Sequence, residues 1–128
     1  RSIYESADRF HVDAVRVGLS SQRVYTGGSV PRVFPRRELS TLPRGSTAYR
    51  DALRFDRFSD GYTQWHPKRP GVLGDVRYSV SPTGLIPLWG IEIDRDRPHQ
   101  HVRYAFFRES TPEQRARFLD MLLGRAPD

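Results

Sequence analysis

The sequence predicts an α+β domain: an antiparallel β-sheet or meander of about six to seven short strands, with one central helix and one C-terminal helix packed on it. Three observations lead there. Short runs rich in β-branched and aromatic residues recur between Pro- and Gly-containing breaks. One stretch after Ser46 carries helical periodicity, and the chain closes on a helix with a full set of start and stop signals.

Residues 2–19, SIYESADRFHVDAVRVGL, read as two strands joined by a polar turn at Ser6 to Asp8. Ser20 to Gln22 then turn the chain into a third strand, RVYT, closed by Gly27 and Gly28. Residues 29–45 carry Pro31, Pro35 and Pro43 among arginines and are expected to form a surface loop. Ser46 is a plausible N-cap for TAYRDALRFDRF, whose Ala48, Ala52, Phe55 and either Leu53 or Tyr49 make an apolar stripe. From Gly61 strands return as YTQWH, VLGDVRYSV, LWGIEID and HVRYAFFRE. Breaks at Pro67 to Gly71, Pro82 to Pro87 and Arg95 to Pro98 supply the turn chemistry of a meander. In the last helix Thr111 is the N-cap, Pro112 the first helical residue and Gln114 the partner in a capping box. Ala116, Leu119, Leu122 and Leu123 would face the sheet, and Gly124 would end the helix.

The chain has 128 residues, which suits a single domain of 1–128 with a core large enough to need no covalent staple. It contains no cysteine, which excludes disulfides, thiolate metal sites and a cysteine nucleophile. No apolar run approaches the roughly 20 residues that span a bilayer. Opening without methionine on a strand-like RSIYES, the chain reads as a soluble fragment of something larger. The net charge is +6, and of 21 basic residues only Lys68 is a lysine. Arginine forks match phosphate and carboxylate, so an anionic ligand (a lipid head group, nucleotide or nucleic acid) is one reading. Their even spread favours instead a coding bias toward arginine. No recognition-helix or RNA-sheet motif accompanies them.

Residues two apart on a strand share a face, so His11 with Asp13 and His99 with His101 are candidate metal ligands if their strands are neighbours. No nucleophile elbow and no phosphate-loop lysine is present. The densest polar-aromatic pieces are FSDGY, GDVRYS and LWGIEID. They suggest either an internal Asp–Arg pair or a ligand pocket formed by Asp60, Tyr62, Asp75, Arg77 and Trp89, in which Arg77 holds an anion.

The same pieces, in the order RFHVDAVRV, SVPR, FDRFSDGYTQ, GDVRYS with PLWGIEID, and STPEQRARFLDMLLG, resemble the C-terminal soluble part of bacterial membrane-bound metal-dependent hydrolases, the inner-membrane, LexA-binding hydrolase-like family. The resemblance spans nearly the whole chain. It implies an accessory or regulatory domain of a hydrolase, associated with the bacterial inner membrane through an N-terminal membrane portion that is its first partner. It also implies that the divalent metal belongs to that portion, so this domain has no catalytic residue and no cofactor of its own. A binding module for an anionic ligand and a self-contained metal-dependent hydrolase using His11, Asp13, His99 and His101 are the alternatives. Oligomeric state and membrane side are left open.

Overall fold

The computed structural model describes residues 1–126. Two antiparallel sheets divide the strands. The first holds β1 (Ser2–Ser6), β2 (Arg9–Val17) and β3 (Gln22–Pro31) in the order β1-β2-β3. The second holds β4 (Thr63–Trp65), β5 (Val72–Asp75), β6 (Trp89–Glu92) and β7 (Arg103–Phe106) as a meander, β4-β5-β6-β7. Three helices complete the fold: α1 (Pro35–Glu38), α2 (Thr47–Phe58) and α3 (Pro112–Leu122). The α+β class and the antiparallel meander are as the sequence predicts, with seven strands split between two sheets. No helix among the described residues is long and apolar enough to cross a membrane.

The β1–β2 hairpin turns through Ala7 and Asp8, both at positive φ (50° and 58°), between the paired residues Ser6 and Arg9. Two left-handed residues in a two-residue loop give a turn whose twist matches that of the strands. Alternation on β2 then buries Phe10, Val12 and Ala14.

Gly27 and Gly28 do not close β3, which runs on to Pro31. They sit opposite a register shift between His11 and Asp13, where the Asp13 carboxylate accepts from Gly27 N at 3.2 Å. A Cβ on Gly27 would strike the carbonyl of Val12 and lie 2.9 Å from that of Thr83. Here glycine marks a bulge and a close backbone approach instead of a strand end.

The segment expected as a bare surface loop is also more than that. Val33, Leu39 and Leu42 are buried with Ala48, Tyr49, Ala52 and Phe55 of α2 against Leu73, Ile91 and Ile93. Phe34 N donates to Glu38 Oε2 at 2.6 Å, which folds the PRRE turn and aims Leu39 inward. This cluster is the larger of two main cores. The other joins Phe10, Val12 and Val30 to Val76 beyond β5, so the two sheets share apolar contacts.

A guanidinium ties the chain start to the far loop. Arg1 donates to the carbonyls of Val76, Ser81, Pro82 and Gly84 at 2.7–3.2 Å. No carboxylate partners it there, and burial pulls its pKa down to about 10.

The start of α3 is as the sequence predicts: Thr111 and Gln114 form the reciprocal capping box, and Gly124 at φ 74° follows the last turn. Its packing is not. The helix docks by its C-terminal end, where Arg16 donates to Leu122 O at 2.9 Å, Arg23 to Gly124 O, and Tyr25 Oη to Arg125 O at 3.0 Å. Cations at the carbonyl end of a helix are favourable for both the free carbonyls and the dipole. Only Met121 is buried, against Ala14 and Tyr25. Leu119, Leu122 and Leu123, expected to face the sheet, are each more than half exposed. At 3.6 residues per turn Met121 falls roughly opposite Leu119 and Leu123 and about a quarter turn from Leu122, so burying Met121 turns the leucines outward.

That orientation is testable. Met121→Ala should cost about 2 kcal/mol by loss of a packed core side chain, whereas Leu122→Ala should change stability by less than about 0.5 kcal/mol. Urea denaturation of dilute protein reads both. Equal costs would mean that α3 is rolled the other way.

Candidate functional site

Two features gather the polar and aromatic residues of the second sheet: a buried ion-pair junction and an open groove.

The junction begins at Asp75, the last residue of β5, whose side chain is fully buried. Arg77 wraps back onto it, with Nε 3.0 Å from Oδ1 and Nη2 2.8 Å from Oδ2, while Arg77 N also donates to Oδ1 at 3.0 Å. The remaining edge of the guanidinium reaches Asp60 Oδ2 at 3.0 Å and the Phe58 carbonyl at 3.3 Å. Hydrogen bonding to Asp75 is the largest influence on Arg77 and raises its pKa above the already high arginine value. Asp60 holds its place at positive φ (51°) in the turn that follows α2.

Of the five residues singled out from sequence, the structure thus brings Asp60, Asp75 and Arg77 together. Tyr62 stands beside them, with the Arg77 guanidinium 5.9 Å from its ring centre and Phe10 stacked on it at 5.2 Å. Trp89 is not a wall of this junction. Its ring packs at a tilt against Tyr78, centroids 4.7 Å apart, and lines the groove instead. The donors of Arg77 are directed to two internal carboxylates and a carbonyl.

The metal candidates are dispersed. His11 stacks on Tyr4 at 5.0 Å in the first sheet, and Asp13 accepts from Gly27 N. His99 lies in the turn between β6 and β7, and His101 pairs with Asp51 of α2. Among the described residues no three His, Asp or Glu side chains converge where they could hold a metal ion. The four candidates therefore do not assemble into one site.

The groove is a concavity of about 610 Å³ between α2 and the β6–β7 pair. Asp51, Phe55 and Phe58 recur on α2 at spacings of four and three, which places them on one helical face, with Arg54 at its edge. Across from them, Trp89 pairs with Phe106 and Ile91 with Tyr104, so the four make a block on one face of the sheet. Ile91 and Phe55 form a buried floor, while Phe58, Tyr104 and Phe106 are 60–74% exposed. Large aromatics left open in a concave site mark a surface built to be covered.

At one end His101 Nδ1 lies 2.8 Å from Asp51 Oδ2, which also accepts from Val102 N at 3.2 Å. A carboxylate only accepts, so Nδ1 carries a proton and Nε2 is the free nitrogen. No hydroxyl or other nucleophile lines the groove with this pair except the phenol of Tyr104.

Sequence reasoning found Trp89 and His101 but missed Asp51, Arg54, Phe58, Tyr104 and Phe106 as lining residues. The usable signal was the matching two-residue spacing of Trp89–Ile91 and Tyr104–Phe106, which gives each strand one bulky face. Which strand pair α2 covers was not readable from that spacing.

Beside the groove, the ring of Phe107 packs on His66 at 4.5 Å. His66 Nδ1 accepts from Lys68 N at 3.0 Å, so its proton is on Nε2, which is buried without a partner among the described residues. Burial first, then the charges of Arg69 and Lys68, hold its pKa below the usual 6.5. Compared with protein-family models, with curated proteins and with solved structures, the chain matches none of them.

Two outcomes follow from these environments. Arg77→Ala should cost about 3 kcal/mol, because it strands a buried carboxylate; a loss under about 1 kcal/mol in urea denaturation would mean Asp75 finds water. Because His66 binds its proton more weakly folded than unfolded, its contribution is fully present above about pH 6.5 and is lost as pH falls toward its lower folded value. Thermal melts from about pH 8 to about pH 5 should show that decline, and His66→Gln should flatten it. An unchanged slope in the variant would place the titration elsewhere.

Proposed function

We propose that this chain is an accessory domain of a membrane-bound, metal-dependent hydrolase, and that it acts by docking through the groove between α2 and β6–β7. The observation that carries the docking reading is the groove itself: a concave, aromatic-lined face with three large side chains open to solvent. The hydrolase assignment rests on the resemblance of FSDGY, GDVRYS and LWGIEID in their order along the chain. On this reading the metal and the hydrolytic chemistry belong to the membrane portion, to which the domain is attached and whose activity or assembly it supports.

The anion-binding alternative draws less support. Several arginines that motivate it spend their donors inside the fold: Arg1 on four carbonyls, Arg32 on Glu5, and Arg77 on Asp75 and Asp60. A self-contained hydrolase draws less still, since His11 and Asp13 lie on β2 of the first sheet while His99 and His101 lie in the β6–β7 connection of the second.

The test compares membranes carrying the parent protein intact, lacking this domain, or bearing Phe106→Ser. Phe106 is an exposed groove residue, so its replacement spares the core. Metal-dependent hydrolysis should fall about tenfold on loss of one aromatic docking contact worth about 1.4 kcal/mol, and further on deletion of the domain. The isolated domain should turn nothing over. Undiminished hydrolysis in both altered proteins, or turnover by the domain alone, would contradict the reading.

A further inference from the structure

Two apolar faces are left uncovered by the described residues, and they are of opposite shape. One is the groove, concave and walled by Phe58, Trp89, Tyr104 and Phe106. The other is convex. Leu119 and Leu122 of α3 and Leu123 just after it are 55%, 54% and 52% exposed, and Leu119 and Leu123 fall roughly opposite the Met121 that anchors the helix. We propose that the groove receives α3 of a second copy of this chain, so that two copies exchange the contact reciprocally. The inference rests on the reading of the groove as a docking surface and names its occupant.

Helix geometry suits the exchange. On this side of sheet two α2 packs with Val33, Leu39 and Leu42 over Leu73 and Ile91, and the groove lies beside α2 over β6 and β7, where a further helix of a two-layer sandwich would pack. α3 has 11 residues and is about 16 Å long, enough to lie across a two-strand width. Its own copy cannot easily supply it, because Arg16, Arg23 and Tyr25 hold the C-terminal end of α3 on the first sheet.

Charge on the two faces also matches. The groove rim carries Asp51, Arg54 and His101, with Glu92 and Arg103 just outside it. The flanks of α3 carry Arg115 and Arg117 with Glu113 and Asp120, so each face offers both signs to the other. That balance distinguishes a protein partner from an anionic bilayer, which favours interfacial helices with an excess of basic residues on the polar face.

Twofold exchange covers both faces in both copies and leaves neither exposed, which a closed pair requires and an open chain of copies does not achieve. In a membrane-attached parent it would bring two hydrolase portions side by side.

Sedimentation equilibrium of the 128-residue chain tests this with two variants at exposed positions, Leu122→Gln on the helix and Phe58→Gln in the groove. The wild type should pair with a Kd on the order of 10 µM, as befits a small interface. Either variant alone loses both contacts and should weaken pairing at least about tenfold. An equimolar mixture regains one intact contact, helix from one variant and groove from the other, and should pair more tightly than either variant by itself. Thermal melts confirm that both variants fold.

A wild type that stays monomeric at about 300 µM, well above that Kd, overturns the proposal. So does pairing that survives Phe58→Gln, which would indicate leucines meeting leucines. Open polymers, or a monomer that instead sediments with vesicles rich in phosphatidylglycerol, also overturn it. If hydrolysis by the parent falls with Phe106→Ser while the chain remains monomeric, the docking reading survives and only the occupant is wrong.

Discussion

One buried carboxylate constrains the second half of this molecule. Asp75 ends β5 with its side chain wholly out of water, a placement that is costly unless the charge is paired and its lone pairs are filled. Arg77 meets both demands, and its spare donors then reach Asp60 and the Phe58 carbonyl. The guanidinium therefore fastens the C-terminal end of α2 to the end of β5, an inner strand of the sheet. Phe58, the last residue of α2, is one wall of the groove, so the ion-pair junction sets where that wall stands. Solvation physics at one aspartate and the shape of a docking face several residues away are thus one problem.

The rest of the architecture follows from how the remaining apolar surface is divided. Leu39, Ala52, Phe55, Leu73 and Ile91 form the core beneath α2. Phe10, Val12, Val30 and Val76 join the first sheet to the chain after β5. α3 stands apart, held by arginine and tyrosine donors to its terminal carbonyls and by Met121 alone. A helix fixed by hydrogen bonds at one end, with its leucines outward, is placed to meet another surface as well as its own.

Local chemistry made much of this legible. Ser46 and Thr111 are N-caps whose side chains accept from Tyr49 N and Gln114 N, and a capping signal acts within four residues. The meander was readable because each break from Pro67 onward carries its own turn chemistry. The Asp75–Arg77 pairing was readable as one of two options because the residues lie two apart. What the sequence hid depends on contacts far apart along the chain. Gly27 looked like a strand terminator, and only the nearness of Val12 and Thr83 shows why it is a bulge. Leu119, Leu122 and Leu123 outnumber Met121 on any helical wheel, yet the wheel does not say which side meets Ala14 and Tyr25. Trp89 was grouped with Tyr62 by composition, although register on β6 directs it to Phe106 and the groove.

The Arg77 fork, and not merely its charge, holds the end of α2 in place. Amide hydrogen exchange on Arg77→Lys, which keeps the charge and loses the fork, tests it most directly. Exchange should quicken chiefly in the last turn of α2, at Gly61 and Tyr62, and at Val76, with β2 and β3 unchanged. A uniform loss of protection across both sheets, or none in α2, would contradict it.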